Sequence, residues 1–240
     1  MLNDTQVPAP RVPIADKATP TREWFRFFSN LYDFIGLRDG VVPTTSGGTG
    51  IVTYATGDLL YASAPNVLTR LPVPGAAAYL GTDGTNMPQW VQVAYGAFID
   101  TTTQTAAANT PTQVAVSTTE HSRHTTLAGN KVTLANSGLY SIIFSAQLTN
   151  ASVADDDIYV WLRVNGVDLA NSGSHATVNK ARGGTPGSVI MTINFFHEFA
   201  AGGYFELYWL SLVGDAEITT YPAGVSPAAP GIILTVSQVI

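Results

Sequence analysis

The clearest periodicity in the chain is strict alternation of apolar and polar positions. Tyr140, Ile142, Phe144, Ala146 and Leu148 take every second place in the run 138–148, which sets them on one face of a half-buried strand. The run 158–164 alternates likewise, and Asn165-Gly166 closes it with a hairpin turn signal. Strands follow at 188–199 and 204–212, joined by Ala200-Ala201-Gly202-Gly203, and at 232–239. The same reading places shorter strands at 97–100, 112–116, 124–128, 131–134 and 174–178. Regular strands with turn punctuation and no helical period predict a sandwich over 96–240, of jelly-roll type. In the strand 204–210 both faces are apolar or aromatic. One face fills the sandwich, and the other needs a dry partner, so Tyr204, Tyr208 and Trp209 are candidates for a subunit interface.

Upstream the pattern changes. Pro8, Pro10, Pro13 and Pro20 punctuate an extended arm. Trp24, Phe28, Leu31 and Ile35 then recur at helical spacing, with Thr19 suited to the N-cap, Pro20 to the first helical position and Gly36 to the stop. Phe25, Phe27, Tyr32 and Phe34 widen the stripe until little of the helix is polar. So short a helix, aromatic nearly all round, must be buried. It packs on its own domain, on two sister helices, or on a larger assembly. No phosphate-binding loop accompanies it, so such an assembly is read as protein rather than nucleic acid.

Between these regions, 37–95 reads as short strands (51–54, 59–62, 67–71, 78–80, 90–93) broken by Gly57-Asp58, Ala64-Pro65-Asn66, Pro74-Gly75 and Asp83-Gly84. Strands that short bury too little to be stable alone. Several chains wound round a common axis would supply the missing contacts, which predicts an intertwined β stalk, trimeric if the resemblance described below holds. The cluster Gly47-Gly48-Thr49-Gly50 is followed by neither Lys nor a helical period, so it is not read as a nucleotide site. The fold class expected is therefore mainly β: an arm and helix over 1–36, a stalk over 37–95 and a jelly roll over 96–240.

Composition sharpens this picture. Charged residues are 12% of the 240, about half the roughly 25% of an ordinary soluble domain. Aromatic residues abound, with four Trp, ten Tyr and ten Phe. Surface usually covered by charge is expected to be covered by copies of the same chain. A net charge of −6 argues against nucleic-acid and anionic-membrane partners. No apolar run reaches membrane-spanning length, so neither membrane insertion nor a secretory signal is expected. Absence of cysteine excludes disulfides, thiolate zinc sites and cysteine nucleophiles.

Little points to catalysis. His121 and His124 lie three apart in a polar stretch without a Cys to complete a ligand set, and neither a nucleophile elbow nor a zinc-protease helix is present. Glu198 and Glu206 are the only acidic residues within strand centres. No enzyme activity, cofactor or metal is expected. Asp155-Asp156-Asp157 is the one dense charge cluster, read as a solvated loop or, alternatively, as a Ca²⁺ site. If strands alternate up and down, the loops 149–157, 179–187 and 213–230 share the free end. Asp155, Asp156, Asp157, Arg182 and Tyr221 are then candidate receptor contacts there.

Several segments carry a resemblance. Thr45-Ser46-Gly47-Gly48-Thr49-Gly50, Gly57-Asp58-Leu59-Leu60-Tyr61-Ala62-Ser63 and Pro88-Gln89-Trp90 resemble the short repeat of bacteriophage tail-fibre proteins. Ser137-Gly138-Leu139-Tyr140, the run from Val160 to Asp168, Ala201 to Trp209 and Pro230 to Val236 are similar to the trimeric knob of phage fibres, with its tumour-necrosis-factor-like jelly roll. Arg11 to Asp16 ahead of an aromatic helix resembles the start of virion-attached phage proteins. The resemblance implies a homotrimer on the virion exterior. Residues 1–36 would be held by a tail, collar or capsid protein through Trp24, Phe28, Leu31 and Ile35. The knob would meet a host-surface glycan or protein. The almost missing shaft leaves a second expectation: a head fibre or decoration protein that stabilises the particle without binding a receptor.

Overall fold

The computed structural model describes residues 7–8, 13–17, 19–34, 42 and 48–239. The chain divides into two compact units, Met1–Gln92 and Val93–Ile240.

In the first unit, helix α1 spans Arg22–Phe34 and starts two residues later than expected. Thr19 and Pro20 instead pair with Ala15 and Asp16 in a short antiparallel turn, and the Thr19 hydroxyl donates to the Asp16 carbonyl at 2.9 Å. Thr21 takes the N-cap place. Its carbonyl accepts from Phe25 N–H at 2.8 Å, while its hydroxyl donates back to the Pro13 carbonyl at 2.7 Å. Trp24, Phe27 and Phe28 gather their rings within 5.5–5.7 Å, yet Phe25, Phe28 and Tyr32 remain exposed. Ile35 and Gly36 lie outside the described residues.

Two hairpins follow. Leu59–Ala64 pairs with Val67–Leu71, and Tyr79–Thr82 pairs with Pro88–Val91. The expected strand at 51–54 does not form; side chains rather than a ladder hold the backbone around it. Asp58 accepts from Ala55 N–H at 2.7 Å and Val73 N–H at 3.2 Å, and its partner Arg70 reaches the Thr53 carbonyl. Asp83 shapes the second hairpin turn by accepting from the N–H groups of Thr85 and Met87.

The second unit is built on eight principal strands: β1 (Tyr95–Asp100), β2 (Lys131–Leu134), β3 (Gly138–Asn150), β4 (Asp156–Val164), β5 (Ser174–Val178), β6 (Gly187–Phe199), β7 (Tyr204–Ser211) and β8 (Ile232–Gln238). They form two antiparallel sheets in the orders β1-β8-β3-β6 and β2-β7-β4-β5. A chain that crosses repeatedly between two such sheets is a jelly roll. Short strands extend the edges, among them Thr118–Arg123 beside β1, which the sequence pattern did not suggest because Glu120, His121 and Arg123 break it.

The alternation read from the sequence sets the core. Tyr140, Phe144 and Leu148 of β3 meet Leu162 of β4 and Phe205, Leu207 and Trp209 of β7, all essentially inaccessible to solvent. Burying a side chain of that size stabilises by about 1.5–3 kcal/mol. The Tyr140 hydroxyl keeps a partner by donating to the Asn136 carbonyl at 2.8 Å. Val164 pairs with Val167 across Asn165-Gly166, whose φ values of 50° and 82° give the twisted two-residue turn that the sequence signalled.

The domain has two distinct ends. Ala94 N–H donates to the Gln238 side chain at 2.9 Å, so the chain enters beside the finish of β8. Asp100, at the other end of β1, pairs with Ile232, and that end carries the β3–β4, β5–β6 and β7–β8 connections.

Candidate functional site

Three loops meet at the end away from chain entry, and carboxylates tie them together. Asp156 opens β4 and is 1% exposed. It accepts from the Ser211 hydroxyl and from the N–H groups of Val213, Asp215 and Ala216 at 2.9–3.0 Å. Burial pushes its pKa up, but the Ser211 hydroxyl and the three N–H donors together outweigh that and hold it below the usual carboxylate range. Asp155 accepts from Lys180 N–H at 2.8 Å, and Ala181 N–H donates to the Ser152 carbonyl. The β3–β4 loop is thus bonded to both of its neighbours.

This geometry corrects the expectation for Asp156. Its carboxylate is consumed by the protein, so it is a brace beneath the loops and not a receptor contact. The strand also turns Asp156 to the face opposite Asp157, so the three carboxylates do not meet at one point. Among the described residues no three His, Asp or Glu side chains are grouped so as to hold a metal ion. Asp157 bonds the Thr177 hydroxyl at 2.6 Å and lies 3.3 Å from His175 Nε2. The Thr177 hydroxyl and then His175 outweigh desolvation and lower its pKa.

Arg182 and Tyr221 remain at the surface of these loops. Arg182 pairs with Thr185 across a tight turn, and Tyr221 pairs with Ala229. A shallow recess of about 320 Å³ lies among Asn179, Lys180, Arg182, Thr185, Pro186 and Gly187. Gly187 is required there, because a Cβ would come within 1.8 Å of the Asn179 carbonyl oxygen.

The two outer sheet faces differ in chemistry. Trp209 is 0% exposed within a single chain, which removes it from the candidate interface: alternation points it into the core with Phe205 and Leu207. Tyr204 and Tyr208 do face outward, but charges cover their rings. Lys131 Nζ stands 4.7 Å from the Tyr204 centroid, and the Arg163 guanidinium 3.7 Å from that of Tyr208. Beneath them Glu206 is held by Gln113 and, at 3.7 Å, by Lys131. The opposite face, on β3, β6 and β8, bears Ile143, Ile190, Phe196 and Ile233, exposed among Ser, Thr, Asn and Gln, with Glu198 its one charge.

Sequence reasoning missed the aromatic side chains on the outer face of β4. Tyr159 stacks on His175 with centroids 4.8 Å apart, and Trp161 lies 6.0 Å from Tyr208. Trp161 Nε1 donates to Asp168 Oδ1 at 2.7 Å, and Arg163 Nε donates to the same oxygen at 2.8 Å. Arg163, then Trp161, hold the Asp168 carboxyl below its usual range. Asn109, Leu169, Gly173, Leu210 and Leu212 complete a shallow cleft of about 480 Å³ around Tyr159 and Trp161. The signal was present in the alternation of 158–164, where every position facing away from the core between Asp157 and Arg163 is aromatic. Among the histidines, His175 belongs to this face, and His197 meets the Phe199 ring edge-on at 4.8 Å.

No family model and no curated protein sequence matches the chain. Among solved structures, the crystal structure of murine APRIL at pH 8.5 is similar, with 12% identity and a TM-score of 0.37. The match spans 62% of this chain and all of that one. The jelly-roll assignment stands on the strand order rather than on that likeness.

Proposed function

We propose that the chain is a homotrimeric fibre on the exterior of a phage virion, held through residues 1–36 and presenting the jelly roll for attachment to the host surface. Its knob would be the tumour-necrosis-factor-like form that the sequence resembles. The observation that carries this reading is the polarity of the second unit. The chain enters at one end, and at the other the β3–β4 segment is bonded to each of the two loops that bear Arg182 and Tyr221. Self-association is supported by the nearly uncharged, apolar-studded outer face of β3, β6 and β8, which fits a sister subunit better than the charge-laced face carrying Tyr204 and Tyr208. Exposed Phe25 and Phe28 on α1 supply a surface for the virion partner. Adhesion rather than catalysis is the proposed mechanism. Weak contacts repeated three times per fibre then gain avidity without high intrinsic affinity.

Sedimentation of the purified chain tests the trimer; a stable monomer overturns it. Competition of the purified protein with the particle for adsorption tests the loops. Arg182→Ala with Tyr221→Ala should abolish that competition, and undiminished competition overturns the assignment of the tip.

A further inference from the structure

We infer that the cleft on the outer face of β4 and β7 binds a neutral sugar, stacked on Tyr159 and Trp161. The site lies on the sheet face beside the end loops and does not depend on what those loops bind.

Two features give the ligand class. The first is preorganised aromatic surface. Trp161 is fixed through Nε1 to Asp168, Tyr159 is backed by His175, and Leu210 and Leu212 continue the apolar floor. One wall is anchored by Asn109 N–H donating to the Ser211 carbonyl at 2.9 Å. The other is anchored by buried Ser172, whose hydroxyl accepts from Leu162 N–H at 3.1 Å and donates to the Leu169 carbonyl at 2.8 Å. Rigid rings lose little entropy on binding. A pyranose offers such rings an apolar face of C–H groups with hydroxyls at its rim, and an amide, an imidazole and carboxylates lie around this cleft to meet those hydroxyls.

The second feature is charge balance. Asp168 is paired with Arg163 at 2.8 Å, and Asp157 is turned to the Thr177 hydroxyl, from which it accepts at 2.6 Å. No unpaired cation lines the cleft to hold a phosphate or uronic acid, and no unpaired anion to hold an amine. An uncharged ligand is favoured. A second copy of the chain fits less well, because covering this face would bury the Arg163–Asp168 ion pair and the cations lying over the tyrosines.

The test is an array of immobilised neutral oligosaccharides of glucose, galactose, N-acetylglucosamine and rhamnose, with uronic-acid and sialylated oligosaccharides and Pro-rich peptides alongside. It is read with the purified full-length protein. At least one neutral series should be retained. Trp161→Ala and Tyr159→Ala should each weaken binding at least tenfold, and Asn109→Gly, which tolerates the φ of 50° at that position, several-fold. Tyr79→Ala, at an exposed tyrosine of the first unit, should leave it unchanged. Should Trp161→Ala fail to fold, Tyr159→Ala and Asn109→Gly carry the test. Retention of acidic sugars or peptides alone, no retention at all, or binding indifferent to the cleft variants overturns the inference. So does a change in sedimentation produced by Tyr159→Ala, which would mark the cleft as a subunit contact.

Discussion

The Asp156 carboxylate and the Ser211 hydroxyl are hydrogen-bonded partners, although 55 positions separate them in sequence. The bond joins the start of β4 to the end of β7, and Ser211 in turn accepts from Gly214 N–H at 2.7 Å. One buried acid therefore organises the whole departure of the chain from β7. Asp156→Ala strands a hydroxyl and three N–H donors and should cost about 3 kcal/mol. A lowered urea midpoint measures this, with Asp156→Asn intermediate.

The same carboxylate dictates an acid limit. Its folded pKa is depressed, so the stability it contributes is complete above the unfolded value and disappears as pH falls through the folded one. Melting temperature should drop below about pH 4, and Asp156→Asn should flatten that part of the profile. An equally steep acid limb in the variant would assign it to other carboxylates.

Trp209 and Phe196 separate core from surface. Trp209→Ala should destabilise the fold by about 3–5 kcal/mol, as expected for a deleted aromatic core side chain. Phe196→Glu touches a residue 60% exposed and should leave the monomer fold intact. If β6 lies in the subunit interface, that substitution dissociates the assembly, as sedimentation would read.

At the β4 hairpin, Gly166→Ala should cost about 1 kcal/mol, because φ is 82° and the added methyl lies 3.3 Å from the Tyr204 hydroxyl. Calorimetry of the two proteins checks this. Gly187→Ala acts differently: its Cβ strikes the Asn179 backbone, so the loop 179–187 must open, and proteolysis within it should accelerate.

The sequence announced the jelly roll because its strands bury alternate residues, and alternation survives in the letters. β2 and β5 begin and end where the pattern placed them, at 131–134 and 174–178. It did not reveal what Asp156 does, since a carboxylate beside two others reads as solvated until β7 brings donors to it. Trp209 was misplaced for a related reason: with Tyr208 and Leu210 beside it, face assignment needs a register. Thr19-Pro20 looked like a helix start because nothing local shows that Ala15 and Asp16 pair with it. The cleft was half visible. Tyr159 and Trp161 are two apart on an evident strand, but Asn109 and Leu212 join them only through the fold.

The reciprocal bonds between Ala94 and Gln238 place entry and final strand at one end. The opposite end is therefore free of the main-chain thread. Its loops can be lengthened, exchanged or grafted as cassettes while the registers of β1, β3 and β8 stay untouched. Asp156 sets the boundary of what can be swapped: a new β7–β8 connection must still offer backbone N–H groups at its first turn. A protein so arranged can change what it meets without renegotiating how it folds.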